Sequence, residues 1–100
     1  MIRAKEIMLL LEIADRAILA DAATAKRRRA EAELRQSYKA WKIENRVDDF
    51  MPAGSADLEK MRSATEEEFV LLGEAKAAEA NARRRLETSV RRYRGVVENG

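Results

Sequence analysis

From Ile2 to about Phe50 the chain contains no Gly or Pro, and its apolar positions recur at helical spacing. Ile7, Leu11, Ala14, Ile18, Ala22 and Ala25 follow one another in steps of three and four, as a single helix face requires. Beyond Arg29 the stripe changes phase to Ala30, Leu34, Tyr38 and Trp41. The pattern predicts one long helix over about residues 2–50, roughly 70 Å long at 1.5 Å per residue. A second stripe runs through Leu58, Met61, Thr65, Phe69, Leu72, Ala75, Ala82, Leu86, Val90 and Tyr93, predicting a helix over about residues 56–94.

Between the two stripes lies Met51-Pro52-Ala53-Gly54-Ser55, which holds the only Pro. Pro fixes φ and lacks an N–H, and Gly tolerates positive φ, so a continuous helix stops here. Ser55 is a suitable N-cap for the second helix, with Asp57 and Glu59 in its first turn favoured by the helix dipole. Ser63-Ala64-Thr65-Glu66 also fits a capping box and admits a short break before the longer part. Gly95 has the character of a C′ residue after Arg91, Arg92 and Arg94. Gly73 reads as a point where the opposite helix comes close.

These elements predict an all-α, antiparallel two-helix hairpin, coiled-coil-like, with residues 1–100 as one domain and the turn at 51–55. Folding about residue 53 pairs position i with roughly 106 − i. Arg27 then falls opposite Glu79, Arg85 opposite Asp21, and Tyr38 and Trp41 near Phe69. The Ala-rich runs meet in the middle, allowing close approach of the axes. Such a seam buries little area against the conformational entropy of ordering the chain. Ile7, Met8, Leu10 and Leu11, with Tyr93 and Val97 at the open end, are therefore the candidate self-association surface. A homodimer forming a four-helix bundle is the simplest arrangement.

Composition narrows the function by subtraction. With no His and no Cys, there is no Ser-His-Asp or Cys-His catalytic arrangement and no thiolate metal site. No Gly-rich loop opens a helix to cradle phosphate. Glu66, Glu67 and Glu68 are consecutive on a helix and point in different directions, which makes a poor cation cage. The sequence thus predicts no enzyme, no cofactor, no metal and no small-molecule substrate. The apolar run at Ile7–Leu11 is too short to span a bilayer or to serve as a signal peptide, so a cytoplasmic protein away from membranes is expected.

Charge is what remains. Residues 44–74 hold nine acids against three bases, a net of −6, whereas the whole chain is +2. The hairpin should therefore have an acidic tip (Asp48, Asp49, Glu66, Glu67, Glu68) and a basic body. The body carries Arg27, Arg28 and Arg29, then Arg83, Arg84 and Arg85, then Arg91 and Arg92, a girdle suited to carboxylate or phosphate partners. Because consecutive bases cover most of the helix circumference, at least one must face the other helix. A girdle of solvated ion pairs is the plainer reading. Tyr38 and Trp41, interleaved with Lys39 and Lys42, fit core packing better than a base-stacking platform. No family motif is present. Small helical hairpins of mixed charge occur among secretion-system escort proteins, phage-encoded inhibitors and subunits of larger assemblies, a likeness of architecture alone. The expectation is a non-catalytic adaptor or inhibitor that docks on a larger complex, including a nucleic-acid-handling one. The alternative is nucleic-acid binding through the girdle, although interspersed acids interrupt its basic face.

Overall fold

The computed structural model describes residues 3–47 and 50–99. Three helices follow in order: α1 (Ala4–Glu44), α2 (Ala56–Ala64) and α3 (Glu66–Asn99). α1 and α3 pack side by side along most of their length, and α2 covers the end near the connection. The result is a rod of 67 × 20 × 18 Å. Its radius of gyration is 21.0 Å, against ~13 Å for a compact domain of this length.

α1 ends earlier than the apolar pattern suggests. Arg46 adopts φ +53°, the Val47 N–H donates to the Lys42 carbonyl (2.9 Å), and the Arg46 N–H donates to Ile43 (3.3 Å). This is a Schellman closure, built on Arg where Gly is usual. The Asn45 side chain caps the same end by donating to the Trp41 carbonyl (2.8 Å). At the turn, Gly54 has φ +81° and the Ser55 N–H donates to the Pro52 carbonyl. The Ser55 hydroxyl then accepts from the Leu58 N–H (3.2 Å), starting α2 as the N-cap rule requires. The break near Ser63–Glu66 is one residue long, but it is not the capping box the sequence suggested, because Ser63 lies inside α2 and only Thr65 separates the helices. Thr65 leaves helical geometry, and its hydroxyl donates to the Met61 carbonyl (2.8 Å).

Two glycine expectations are corrected. A Cβ at Gly73 would meet open space, so the opposite helix does not come close there. Gly95 does not end the helix, because α3 continues through it to Asn99.

The buried seam on α1 follows Leu9, Ile13, Arg16, Ala20, Ala23, Arg27, Ala30, Leu34, Ser37 and Trp41, all buried or half-buried. On α3 it follows Leu72, Ala75, Glu79, Ala82, Leu86, Ser89, Tyr93 and Val96. Both alternate steps of three and four without a phase change, the repeat of a two-helix coiled coil. The expected stripe over Ile7, Leu11, Ala14, Ile18, Ala22 and Ala25 is not this seam. Every one of those residues is exposed. It leads the true seam by two residues, about 200° around the helix axis, so it lies on the side of α1 facing away from α3. Phe69 also leaves the expected core and is 62% exposed.

Polar cross-links confirm the antiparallel register. Arg27 bonds Glu79, Arg83 donates to Thr24 (3.4 Å), Arg92 pairs with Glu12 (3.8 Å), and Arg16 donates to the Arg85 carbonyl (3.1 Å). The first three agree with the fold-back rule to within two residues, and Arg16–Arg85 departs from it by five. The expected Arg85–Asp21 pair does not form, and both side chains are exposed. Ser89 is fully buried with a hydroxyl that has no partner. Its customary acceptor, the carbonyl four residues back, is Arg85's, which already accepts from Arg16.

Candidate interaction surfaces

The outer face of α1 continues far beyond the apolar stripe at unbroken spacing. Ile7, Leu11, Ala14, Ile18, Asp21 and Ala25 are followed by Arg28, Ala32, Arg35 and Lys39. All but the half-buried Ala32 are exposed, Ile18 to 68% and Leu11 to 61%. Met8, Leu10 and Leu19 widen the apolar part. One face of one helix is therefore apolar over its first half and basic over its second. α3 exposes Phe69, Val70 and Leu71 near its start, but between Gly73 and Arg94 its outward positions are Glu74, Ala77, Ala80, Asn81, Arg84, Glu87 and Arg91. Because α1 is apolar on two opposite sides, it is less amphipathic overall than α3.

The girdle resolves into structural and outward members. Arg27 is the base that faces the other helix. Its guanidinium donates to both Glu79 carboxylate oxygens (3.2 and 3.4 Å from Nε) and to Glu31 (3.0 Å). Glu79, only 13% exposed, also receives Arg83 at 3.4 Å. Arg27 is thus a seam residue and not part of a free docking surface. Arg83 lies at the seam edge, Arg84 donates to Asn81 (2.7 Å), and Arg92 flanks the seam beside Glu12. Arg28, Arg29, Arg85 and Arg91 are exposed.

Hydrogen bonds from the Thr24 hydroxyl and the Arg27 guanidinium hold the Glu79 carboxyl below the ordinary glutamate range. A depressed carboxyl contributes stability that is complete above the unfolded-state value and is lost as pH falls through the folded one. Stability towards urea should therefore fall as pH is lowered from about 5 to about 3, and Glu79→Gln should flatten that acid limb. Equal acid limbs in the two proteins would remove Glu79 as the cause.

The two parts of the acidic tip fare differently. Asp48 and Asp49 lie outside the described residues. Glu66, Glu67 and Glu68 form the first turn of α3, where the helix dipole favours them; the first two are exposed and Glu68 is half-buried. Among the described residues no carboxylate cluster is arranged to hold a metal ion. The tip also exposes apolar side chains that charge counting missed: Ile43, Phe50, Phe69 and Val70. Tyr38 and Phe69 line an open groove of about 480 Å³ with Glu59, Arg62 and Glu66. Trp41 is half-buried on the seam, whereas Tyr38, also half-buried, sits beside the seam at the groove, with Ser37 in the seam position expected for it.

Of the expected self-association residues, Ile7, Met8 and Leu11 belong to the outer face of α1, and Leu10 lies at its margin, 39% exposed. Tyr93 is half-buried in the α1–α3 seam, and Val97 is exposed near the end of α3. Ile18 and Leu19 were missed. Spacing puts Ile18 on the core stripe, because nothing in spacing alone distinguishes the two apolar faces. Among the described residues no helix is long and apolar enough to cross a membrane. Comparison with protein-family models, with curated proteins and with solved structures finds no match to this chain.

Proposed function

We propose that the chain is a non-catalytic interaction protein, a helical adaptor or inhibitor whose working surface is the outer face of α1. The observation that carries this reading is the continuous stripe from Ile7 to Lys39, apolar and then basic, on the side of α1 turned away from its only long partner helix. An apolar patch of this extent marks an interaction site more often than a solvated surface. The basic extension would orient an acidic partner surface and speed encounter, with the apolar half supplying affinity. Self-association at the apolar end is part of the same reading. The acidic, aromatic-edged tip is a second contact of lower rank.

Photo-crosslinking in cells tests the assignment. A photoreactive residue at Leu11, Ile18 or Arg28 should give discrete protein adducts, and one at Ala80 on the outer face of α3 should not. Equal adducts from both helices would sink it. Binding of the girdle to a phosphate backbone is the competing reading, favoured by Arg28, Arg29, Arg85 and Arg91 being exposed. It predicts submicromolar binding of labelled DNA or RNA at about 50 mM salt, falling ~10³-fold by about 200 mM if six or more phosphates are neutralised. Such a slope, abolished by Arg28→Glu with Arg84→Glu, would replace the first reading.

A further inference from the structure

Resting on that reading, we infer that the apolar half of the outer α1 face is occupied by a second copy of this chain in antiparallel register. Ile7 packs on Ile18 of the second copy, and Leu11 on its Ala14. The geometry is that of the α1–α3 seam, with both helices contributing steps of three and four.

Charge along the stripe selects the direction. A parallel, in-register pair would place Asp21, Arg28, Arg35 and Lys39 each against its own equivalent, four like-charge layers interrupted only by Ala25 and Ala32. Like charges in such juxtaposition are what suppress a wrong pairing. The antiparallel register removes all four contacts. Its layers are Ala4 against Asp21, Ile7 against Ile18 and Leu11 against Ala14, each occurring twice by the two-fold axis. Asp21 then lies beside Lys5 of the second copy, an opposite charge at each end.

Size argues the same way. Sliding the antiparallel pair by one heptad, so that Ile18 meets Ala14, sets Leu11 against Asp21 and Ala4 against Arg28 and buries charge. The register with Ile7 on Ile18 keeps every large apolar side chain of the stripe against an apolar partner. It overlaps residues 4–21, about 27 Å of helix. This is a narrow contact beside the ~800 Å² per partner of a standard interface, so a reversible dimer in the micromolar range is expected. The four helices form a layer, with α1 on α1 in the middle and each α3 outside, and not the compact bundle expected from sequence. The basic halves, Arg28 to Lys39, project at opposite ends and stay free for a third party.

Sedimentation of the purified full chain from about 1 to 200 µM tests the pairing, the expected transition being from monomer to dimer across that range. Ile18→Glu should shift the dissociation constant at least 10-fold upward while leaving helicity and the melting of the dilute, monomeric protein unchanged, because Ile18 is 68% exposed in the monomer. The chain has no Cys, so disulfides report register cleanly. An equimolar mixture of Ile7→Cys and Ile18→Cys should oxidise mainly to the mixed dimer, and Ile18→Cys alone should not cross-link. A monomer at every concentration overturns the pairing but leaves the interaction reading standing if crosslinks to other proteins form in cells. A dimer indifferent to Ile18→Glu overturns the face. Cross-linking by Ile18→Cys alone, or no mixed disulfide, overturns the register.

Discussion

Leu72→Ala should cost about 2–5 kcal/mol, the range for truncating a buried Leu when the site cannot collapse. Among the described residues few apolar side chains are fully buried: Ala20, Leu34, Met61, Leu72 and Ala75. Two are Ala, with little area to lose, so much of the hydrophobic stabilisation rests on Leu34, Met61 and Leu72. A domain of this size has ~5–15 kcal/mol in total, and one with a single seam sits at the lower end. The variant should therefore lose most of its cooperative transition in urea followed by circular dichroism. Leu71→Ala is the control. Leu71 is next in sequence but 47% exposed, and its truncation should cost well under half as much. Equal losses would mean that the α1–α3 seam is not where the structure puts it.

The opposite effect is expected from three substitutions to Ala. Gly73 and Gly95 are both helical, with open space where a Cβ would go. Ala removes the backbone-entropy cost of Gly, ~1 kcal/mol at each site. Ser89→Ala removes a hydroxyl that is buried without a partner, adding ~1 kcal/mol more. Gly73 is far along α3 from the other two, so the gains should add. Together they raise the melting temperature by roughly 12–24 °C at ~4–8 °C per kcal/mol. A loss on Gly73→Ala would revive the close helix approach read from the sequence. A loss on Ser89→Ala would mean that its hydroxyl has a partner in solution.

The sequence carried the topology because each signal was local. The Pro52–Gly54 breaker, the Ser55 cap and the Thr65 break are short-range rules that need no tertiary partner. The Arg27–Glu79 pair was also legible, since one guessed turn position puts opposite charges opposite each other. Signals weighed by residue type alone failed. Arg46 closes α1 in a conformation usually reserved for Gly, so that end carried no warning. Gly73 and Gly95 were read as meaningful, although the helix merely tolerates them.

The candidate site failed and succeeded for the same reason. Periodicity shows that α1 has apolar faces but not which one α3 takes, because both obey the same spacing of three and four. Sequence by itself determined an all-α chain, its turn, its antiparallel direction and the segregation of its charge. The choice between the two faces of α1 belongs to tertiary structure. α3 offers Glu79 among the apolar residues of its seam, and that carboxylate takes the Arg27 guanidinium at 3.2 Å, on the face of α1 that also carries Ala20 and Ala23. The row at Ile7, Leu11 and Ile18, which has no Arg27 to meet Glu79, is left facing outward. A helix apolar on both sides can give only one of them to a single neighbour, and which one depends on the shape and charge of that neighbour.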